Sequence, residues 1–335
     1  MNIAVLYNSA DAQLLQRRGP VAHEFYLPGN IARIVAALRE NGHEVIAVEA
    51  DRYVIDRLAS FFGSLSNDRW PGLVFNLAFG IQGHLRYCHM PALLEMLGLP
   101  YLGSGPLGQA LSSDKPTAKA VFGHAGLPTP DFVVFHSAAI TEPALGYPLI
   151  VKPVGQASSL GLKLVHNEEE LGTAVRENLR IFDEPVMAEC FVGGREINVS
   201  VLGNRPGEVL PPVEVVLGEE GSPIYTSEDK DGTARRQFKL ECPANVSTDL
   251  ATEAQRLALE AFAALSCRDW ARIEFRIDGE GRLQLLEVNT IPGLGILSSL
   301  PAAAKQAGIK DLPALVQRLV DIAVERYNGE PAPMR

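Results

Sequence analysis

Residues 3–7 (IAVLY) form a continuous apolar run, the pattern of a strand buried on both faces. Ile31, Ile34, Val35 and Leu38 then recur at i, i+3, i+4 and i+7, which predicts one buried helical face. Gly42 falls where a C-terminal cap belongs. Residues 45–48 (VIAV) and 73–77 (LVFNL) read as further strands. Residues 91–97 (PALLEML) read as a short helix with proline at its start and Gly98 after it. Alternating strands and helices predict a small parallel α/β domain, ending near Gly103-Ser104-Gly105-Pro106.

The pattern changes in the middle of the chain. Residues 132–135 (FVVF), 148–152 (PLIVK), 161–166 (GLKLVH) and 185–189 (PVMAE) read as short strands around a helix over 168–179, an α+β lobe. Strands over 195–202 (REINVSVL) and 208–216 open the last third. A polar loop, 218–236, follows; loops of that length are uncommon unless they carry function or disorder. A helix over 248–265 precedes two strands, 272–277 and 283–288, joined by the turn Asp278-Gly279-Glu280-Gly281, and two helices end the chain. No internal repeat or low-complexity tract is present.

Composition narrows the functional classes. With 335 residues, 47% of them hydrophobic, the chain can bury a sizeable core in two or three domains. A net charge of -10 repels phosphate backbones, so nucleic acid is not an expected partner. Cys88, Cys190, Cys242 and Cys267 include no CxxC pair and suggest neither zinc nor a disulfide framework. No stretch is long and apolar enough to span a bilayer, and the N-terminus enters a strand without a signal-peptide pattern, so no membrane partner and a cytoplasmic location are expected.

Five stretches could carry chemistry. In residues 151–161 (VKPVGQASSLG), Lys152 ends an apolar strand and a loop of glycines and serines follows. Such a loop can wrap phosphate oxygens, or it can simply be a hairpin turn; no Walker A pattern is present. In residues 272–277 (RIEFRI), strand periodicity puts Arg272, Glu274 and Arg276 on one face. In residues 283–289 (LQLLEVN), the same periodicity puts Leu285, Glu287 and Asn289 together. Paired as a hairpin, Glu274, Glu287 and Asn289 share a face and offer hard oxygen ligands suited to Mg²⁺. The alternative is a solvated face of alternating salt bridges. Pro292 and Gly293 then lead to a helix start near Ser298 and Ser299, where backbone N–H groups could receive a carboxylate. His23, Glu24 and Tyr26 precede the first helix, at the sheet edge that ligands favour in α/β domains. An exposed loop is the plainer reading for them, as it is for His84 and His89.

YPLIVKP, SSLG, EINVSVLG, CRDWARIEFRID and LLEVNTIPGL stand in an order and spacing that resemble the ATP-grasp superfamily, most closely the D-alanine–D-alanine ligases. The resemblance covers roughly residues 90–325 and is weaker before that. It implies an ATP-grasp fold, α/β and α+β, with an N-terminal parallel α/β (pre-ATP-grasp) domain over 1–105. A central lobe over 106–193 and a C-terminal lobe over 194–335, with the metal site and mobile loop, would follow. It implies ATP with two Mg²⁺ ions, or Mn²⁺ in their place, small amino-acid substrates, a dipeptide made through an acyl phosphate, and a homodimer.

By the same resemblance, Lys115 and Lys152 match phosphate-contacting lysines, and Ser158 and Ser159 match a phosphate-covering loop. Glu189, Phe191 and Val192 match the adenine hinge, Glu196 a ribose ligand, and Glu274, Glu287 and Asn289 the metal ligands. Arg272 matches the arginine that stabilises a tetrahedral intermediate, Gly293 and Ser298 the second amino-acid site, and Lys230 the lysine of the mobile loop.

Departures concentrate where substrate would bind. RGPVAHEFYLPGN replaces the usual S-x-E-x-x-V-S stretch, leaving Glu24 as the group to meet the first substrate's ammonium. NLAFGIQGHLRYCHMP replaces HGxxGEDG, Asp231 stands where tyrosine is usual, and Cys190 replaces a hinge lysine. The readings carried forward are a ligase of this type, a related ligase with another substrate, and a nucleotide-binding protein without catalysis. A dehydrogenase is disfavoured because the first strand runs into LYNSADAQ rather than G-x-G-x-x-G.

Overall fold

The computed structural model describes residues 1–10, 16–63, 72–139, 143–204, 206–218, 223–226, 229, 233 and 236–329. Its first part runs β1 (Asn2–Tyr7), α1 (Pro28–Glu40), β2 (Glu44–Glu49), α2 (Val54–Phe62), β3 (Leu73–Asn76), a 3₁₀ turn Arg86–Cys88, α3 (His89–Leu97) and β4 (Tyr101–Leu102). The four strands make a parallel sheet in the order β2-β1-β3-β4, as the unbroken apolar runs require. Gly42, at φ +80°, turns the chain out of α1, and its N–H reaches Arg39 O at 2.9 Å.

Helices α4 (Pro106–Ser113) and α5 (Lys115–His124) then lead into a second sheet. The sequence pattern assigned neither helix. Asp114 caps α5 by accepting from Thr117 N at 2.9 Å, with Pro116 in the first turn. The second sheet holds β5 (Phe132–Phe135), β6 (Leu149–Pro153), β7 (Lys163–Val165) and β8 (Val186–Cys190) in the order β5-β8-β6-β7, with α6 (Glu168–Phe182) packed on it. Asn167 caps α6 through Glu170 N at 3.0 Å, and three glutamates in its first turn complement the helix dipole.

The third sheet orders β12-β11-β9-β13-β14, with β10 added on β9. It contains β9 (Glu196–Leu202), β10 (Glu208–Val209), β11 (Val213–Leu217), β12 (Phe238–Glu241), β13 (Trp270–Ile277) and β14 (Leu283–Asn289). The single strand expected over 208–216 is two strands, because Pro211 and Pro212 cannot donate to a ladder. Helix α7 (Thr248–Ala264) covers one face, and α8 (Ser299–Gln306) and α9 (Leu312–Gly329) close the chain.

One apolar core unites distant parts. Ile31, Ile34 and Leu38 of α1 pack with Leu315, Val316 and Leu319 of α9, and with Trp270 and Ile291 of the third sheet region. The C-terminal helix is therefore anchored on the first sheet, where Asn41 also donates to Pro313 O at 2.8 Å. This shared core holds the first and third sheets together around the cleft that they form with the second.

A register detail corrects the sequence reading of the hairpin. Glu274 pairs with Glu287, but Phe275 pairs with Leu285, so Leu286 is an extra residue in a β-bulge. Leu285 consequently points into the core with Leu283 and Val288, rather than sharing the face of Glu287 and Asn289. The expected grouping of the two acids with Asn289 holds; the inclusion of Leu285 fails because strict alternation ignores the bulge.

Candidate active site

The cleft has a narrow part between the second and third sheets. Across the β6–β8 pair, Lys152 and Glu189 meet in an ion pair. The other carboxylate oxygen of Glu189 lies 2.9 Å from Nζ of Lys119, on α5. All three residues are buried, and a buried carboxylate is stable only when so paired. Burial pushes the Glu189 carboxyl up, but the two ammonium groups outweigh it and hold it below its ordinary value. Burial wins at Lys119, which is lowered; at Lys152 Glu189 and Glu287 win, and it is raised. Lys119 was not singled out from sequence. Its place four residues after Lys115 on one helix face was the available signal.

Lys115 projects from the start of α5 and donates to Val154 O at 3.3 Å and to Gln156 O. Burial lowers its ammonium below the ordinary value. The loop it touches carries Ser158 and Ser159, both left-handed at φ +57° and +59°, a conformation that costs a side-chain-bearing residue about 1–2 kcal/mol. Ser159 donates to Tyr225 O at 2.9 Å, linking this loop to the 223–226 segment.

Glu24 enters the same loop from the first sheet's side. It forms an ion pair with Arg86 at 2.7 Å, with both side chains almost fully buried. It also accepts from Ala157 N. Arg86 donates further to Gly155 O at 2.9 Å and Gln156 Oε1 at 3.3 Å. The ammonium role expected of Glu24 thus falls on a carboxylate whose two oxygens already have protein partners. Arg86 lies in the RYC turn that replaces the usual segment, a difference visible in the sequence whose partner was not.

On the hairpin, Glu274 and Glu287 face each other in register. Asn289 Nδ2 donates to Glu274 Oε1 at 2.8 Å and to Glu287 Oε1 at 3.2 Å. Arg272 approaches Glu274 Oε1 through Nη2 at 2.5 Å and Nε at 3.1 Å. Among the described residues no group of three or more His, Cys, Asp or Glu could hold a metal ion. The set here is two carboxylates completed by an amide. Turning that amide over brings Oδ1 to the same point, giving three hard oxygens. The donor set therefore fits Mg²⁺, which commonly takes one or two carboxylates and leaves positions for phosphate and water.

Two connected cavities join these groups. The narrow one is lined by Lys115, Lys152, Ser159, Glu189, Cys190, Phe191, Val192, Glu196, Leu286 and both glutamates of the hairpin. The wide one, about 770 Å³, is lined by Glu24, Ser158, Arg272, Asn289, Gly293 and Ser298. Lys115, Glu196, Glu274 and Glu287 line both, so the hairpin carboxylates sit at the junction. Gly293 and Ser298 approach closely: a Cβ at Gly293 would lie 2.8 Å from Ser298 Oγ, so the hydroxyl would have to turn away. His23 packs edge-on against Phe182 at 5.2 Å, and Tyr26 stacks on Phe79 at 5.1 Å. Lys230 and Asp231 lie outside the described residues. No helix among those described is long and apolar enough to cross a membrane.

Comparison with known proteins bears on the whole arrangement. The family model for the D-ala D-ala ligase C-terminus matches residues 121–321. An uncharacterized protein of Sinorhizobium fredii is 39% identical over 98% of both chains. A D-alanine–D-alanine ligase of Moorella thermoacetica is 36% identical over 87% of this chain and 92% of its own length. Among solved structures, the D-alanine–D-alanine ligase from Bacillus anthracis complexed with ATP has a TM-score of 0.76. That match covers 99% of this chain and 100% of the other at 21% identity, and so speaks for the fold.

Proposed function

This chain belongs to the D-alanine–D-alanine ligase family, and from that premise we propose that it joins one amino acid's carboxylate to another's amine through an acyl phosphate. It is an ATP-dependent, ADP-forming ligase of the ATP-grasp fold. The observation that carries the reading is the junction: Glu274, Glu287 and Asn289 converge where the narrow slot meets the wide cavity, with Arg272 beside them.

In this reading the slot takes the nucleotide, with Phe191 and Val192 along the adenine, Glu196 near the ribose, and Lys115 and Lys152 on the phosphates. Ser158 and Ser159 present the loop that covers them. Glu274, Glu287 and Asn289 would hold Mg²⁺, which when bound neutralises phosphate charge during transfer. The first substrate's carboxylate oxygen attacks the γ-phosphorus and ADP leaves. The second substrate's amine then attacks the acyl carbon, inorganic phosphate leaves, and an amide remains. Arg272 is placed to stabilise the oxyanion formed in that second step. Gly293 and Ser298 line the amine's side of the cavity; the roles given by resemblance to Lys230 and Asp231 fall outside the described residues. A homodimer is part of the same reading.

A second reading, a ligase of this type for a different amino-acid pair, is favoured by the Glu24–Arg86 ion pair. The test is ADP and phosphate release from ATP and Mg²⁺ across D- and L-amino acids, with dipeptide identified by mass. Glu287→Gln is expected to cut turnover roughly 100-fold or more, the scale of losing one group that holds transition-state charge. Unchanged turnover in that variant would overturn the metal assignment. Release with D-alanine alone would remove the second reading.

A further inference from the structure

We propose that the amine-side substrate of this ligase carries a bulky apolar side chain, leucine-sized or larger, seated against Phe25, Leu27, Ile296 and Leu297. This rests on the ligase reading above.

Single exposed apolar residues are ordinary on a protein surface, but a cluster around one opening is not. Ile296 is 78% exposed, Leu297 68%, Leu27 60% and Phe25 48%. All four line the wide cavity, although they come from two segments far apart in the chain. Below this rim the wall carries three aromatic rings, in a cavity that Asn30, Arg33 and Glu24 also line. Tyr26 lies parallel to Phe79 with ring centres 5.1 Å apart, and Phe79 is 5.7 Å from Tyr87. These three also line the cavity.

The occupant follows from continuity with the reacting groups. The cavity of about 770 Å³ runs from this rim to Arg272, Glu274 and Glu287 without a break. Ile296 and Leu297 sit between Gly293 and Ser298, the two positions placed at the amine's side. A Ser298 N–H bond to Gly295 O at 3.1 Å turns the segment back on itself and leaves both side chains outward. A methyl group cannot cover such a wall; a branched or aromatic side chain can. Covering apolar surface is the driving force, and one methylene in an apolar pocket shifts selectivity by roughly 10- to 200-fold.

The experiment measures ADP release with ATP and Mg²⁺, with each amino acid in turn as the carboxylate component, for alanine, valine, leucine and phenylalanine of both configurations as the amine component. Expected is a kcat/KM for leucine or phenylalanine at least about tenfold above alanine. In the double variant Ile296→Ser/Leu297→Ser that ratio is expected to fall toward one. Alanine ranking first, or an unchanged ratio in the variant, would overturn the proposal while leaving the ligase reading intact. Calorimetric binding of the same amino acids to the protein with ADP and Mg²⁺ separates the two ideas. Tight leucine binding without ADP release would overturn the ligase reading and keep the apolar subsite. Neither binding nor release would overturn both. A dimer seen in sedimentation that the double variant dissolves would give the rim to a second copy of the chain, and the proposal would fall.

Discussion

Glu189 is a carboxylate whose environment decides its charge. With Lys119 and Lys152 on its two oxygens, removing its charge leaves two buried ammonium groups uncompensated. Glu189→Gln is expected to lower stability at neutral pH by about 3–5 kcal/mol, read by urea unfolding. The pH dependence follows from the direction of the shift. The folded-state pKa lies below the ordinary 4.5, so this contribution is present above pH 4.5 and is lost as pH falls through the folded value. The stability gap between wild type and variant should therefore narrow in acid; a gap that stays constant would remove the ion-pair account. Glu189 and Lys152 were legible from motif order. Lys119 was not, because its partner lies on a strand that the fold brings alongside its helix.

The β13–β14 hairpin shows what periodicity can and cannot supply at the scale of one element. Alternation was enough to put Glu274 opposite Glu287 and Asn289 beside them. It failed at Leu285, since an extra residue in a strand shifts every side chain beyond it to the other face. The bulge has a direct consequence. Leu285 is fully buried, so Leu285→Ala should cost about 2–5 kcal/mol. Leu286 is half-buried in the slot wall, so Leu286→Ala should cost less than about 1 kcal/mol of stability and instead weaken nucleotide binding. Thermal unfolding of the two variants, with ATP titrations on the second, checks this. Equal stability losses would contradict the bulge. Helices α4 and α5 escaped the sequence reading for another reason: their apolar positions are sparse, and only a proline in each first turn and the Asp114 cap of α5 mark them.

Across the whole molecule, the Glu24–Arg86 pair ties the first sheet's loops to the loop of Ser158 and Ser159. Removing Arg86 alone strands a buried carboxylate, whereas replacing both partners with apolar side chains removes the unmet charge. Arg86→Met should cost about 3–5 kcal/mol, and Glu24→Met/Arg86→Met should be more stable than that single variant. Hydrogen exchange adds a spatial readout: the Ala157 amide, which donates to Glu24, should exchange faster in both variants. An additive loss in the double variant would mean that the two side chains act separately.

Apolar periodicity, end caps and motif order in the sequence alone settled most of the elements, the parallel first sheet, the ligase family and the pairing of the two hairpin glutamates. Element type and hairpin pairing are short-range properties, set by residues within one strand, one helix or one hairpin, while the sheet and the family rest on the order of elements and motifs along the chain. Tertiary structure alone decided that Arg86, 62 residues from Glu24, takes that carboxylate. It also set Lys119 against Glu189 and gathered Phe25, Leu27, Ile296 and Leu297 at one opening. Such contacts depend on how whole elements pack, and chain spacing carries no record of that.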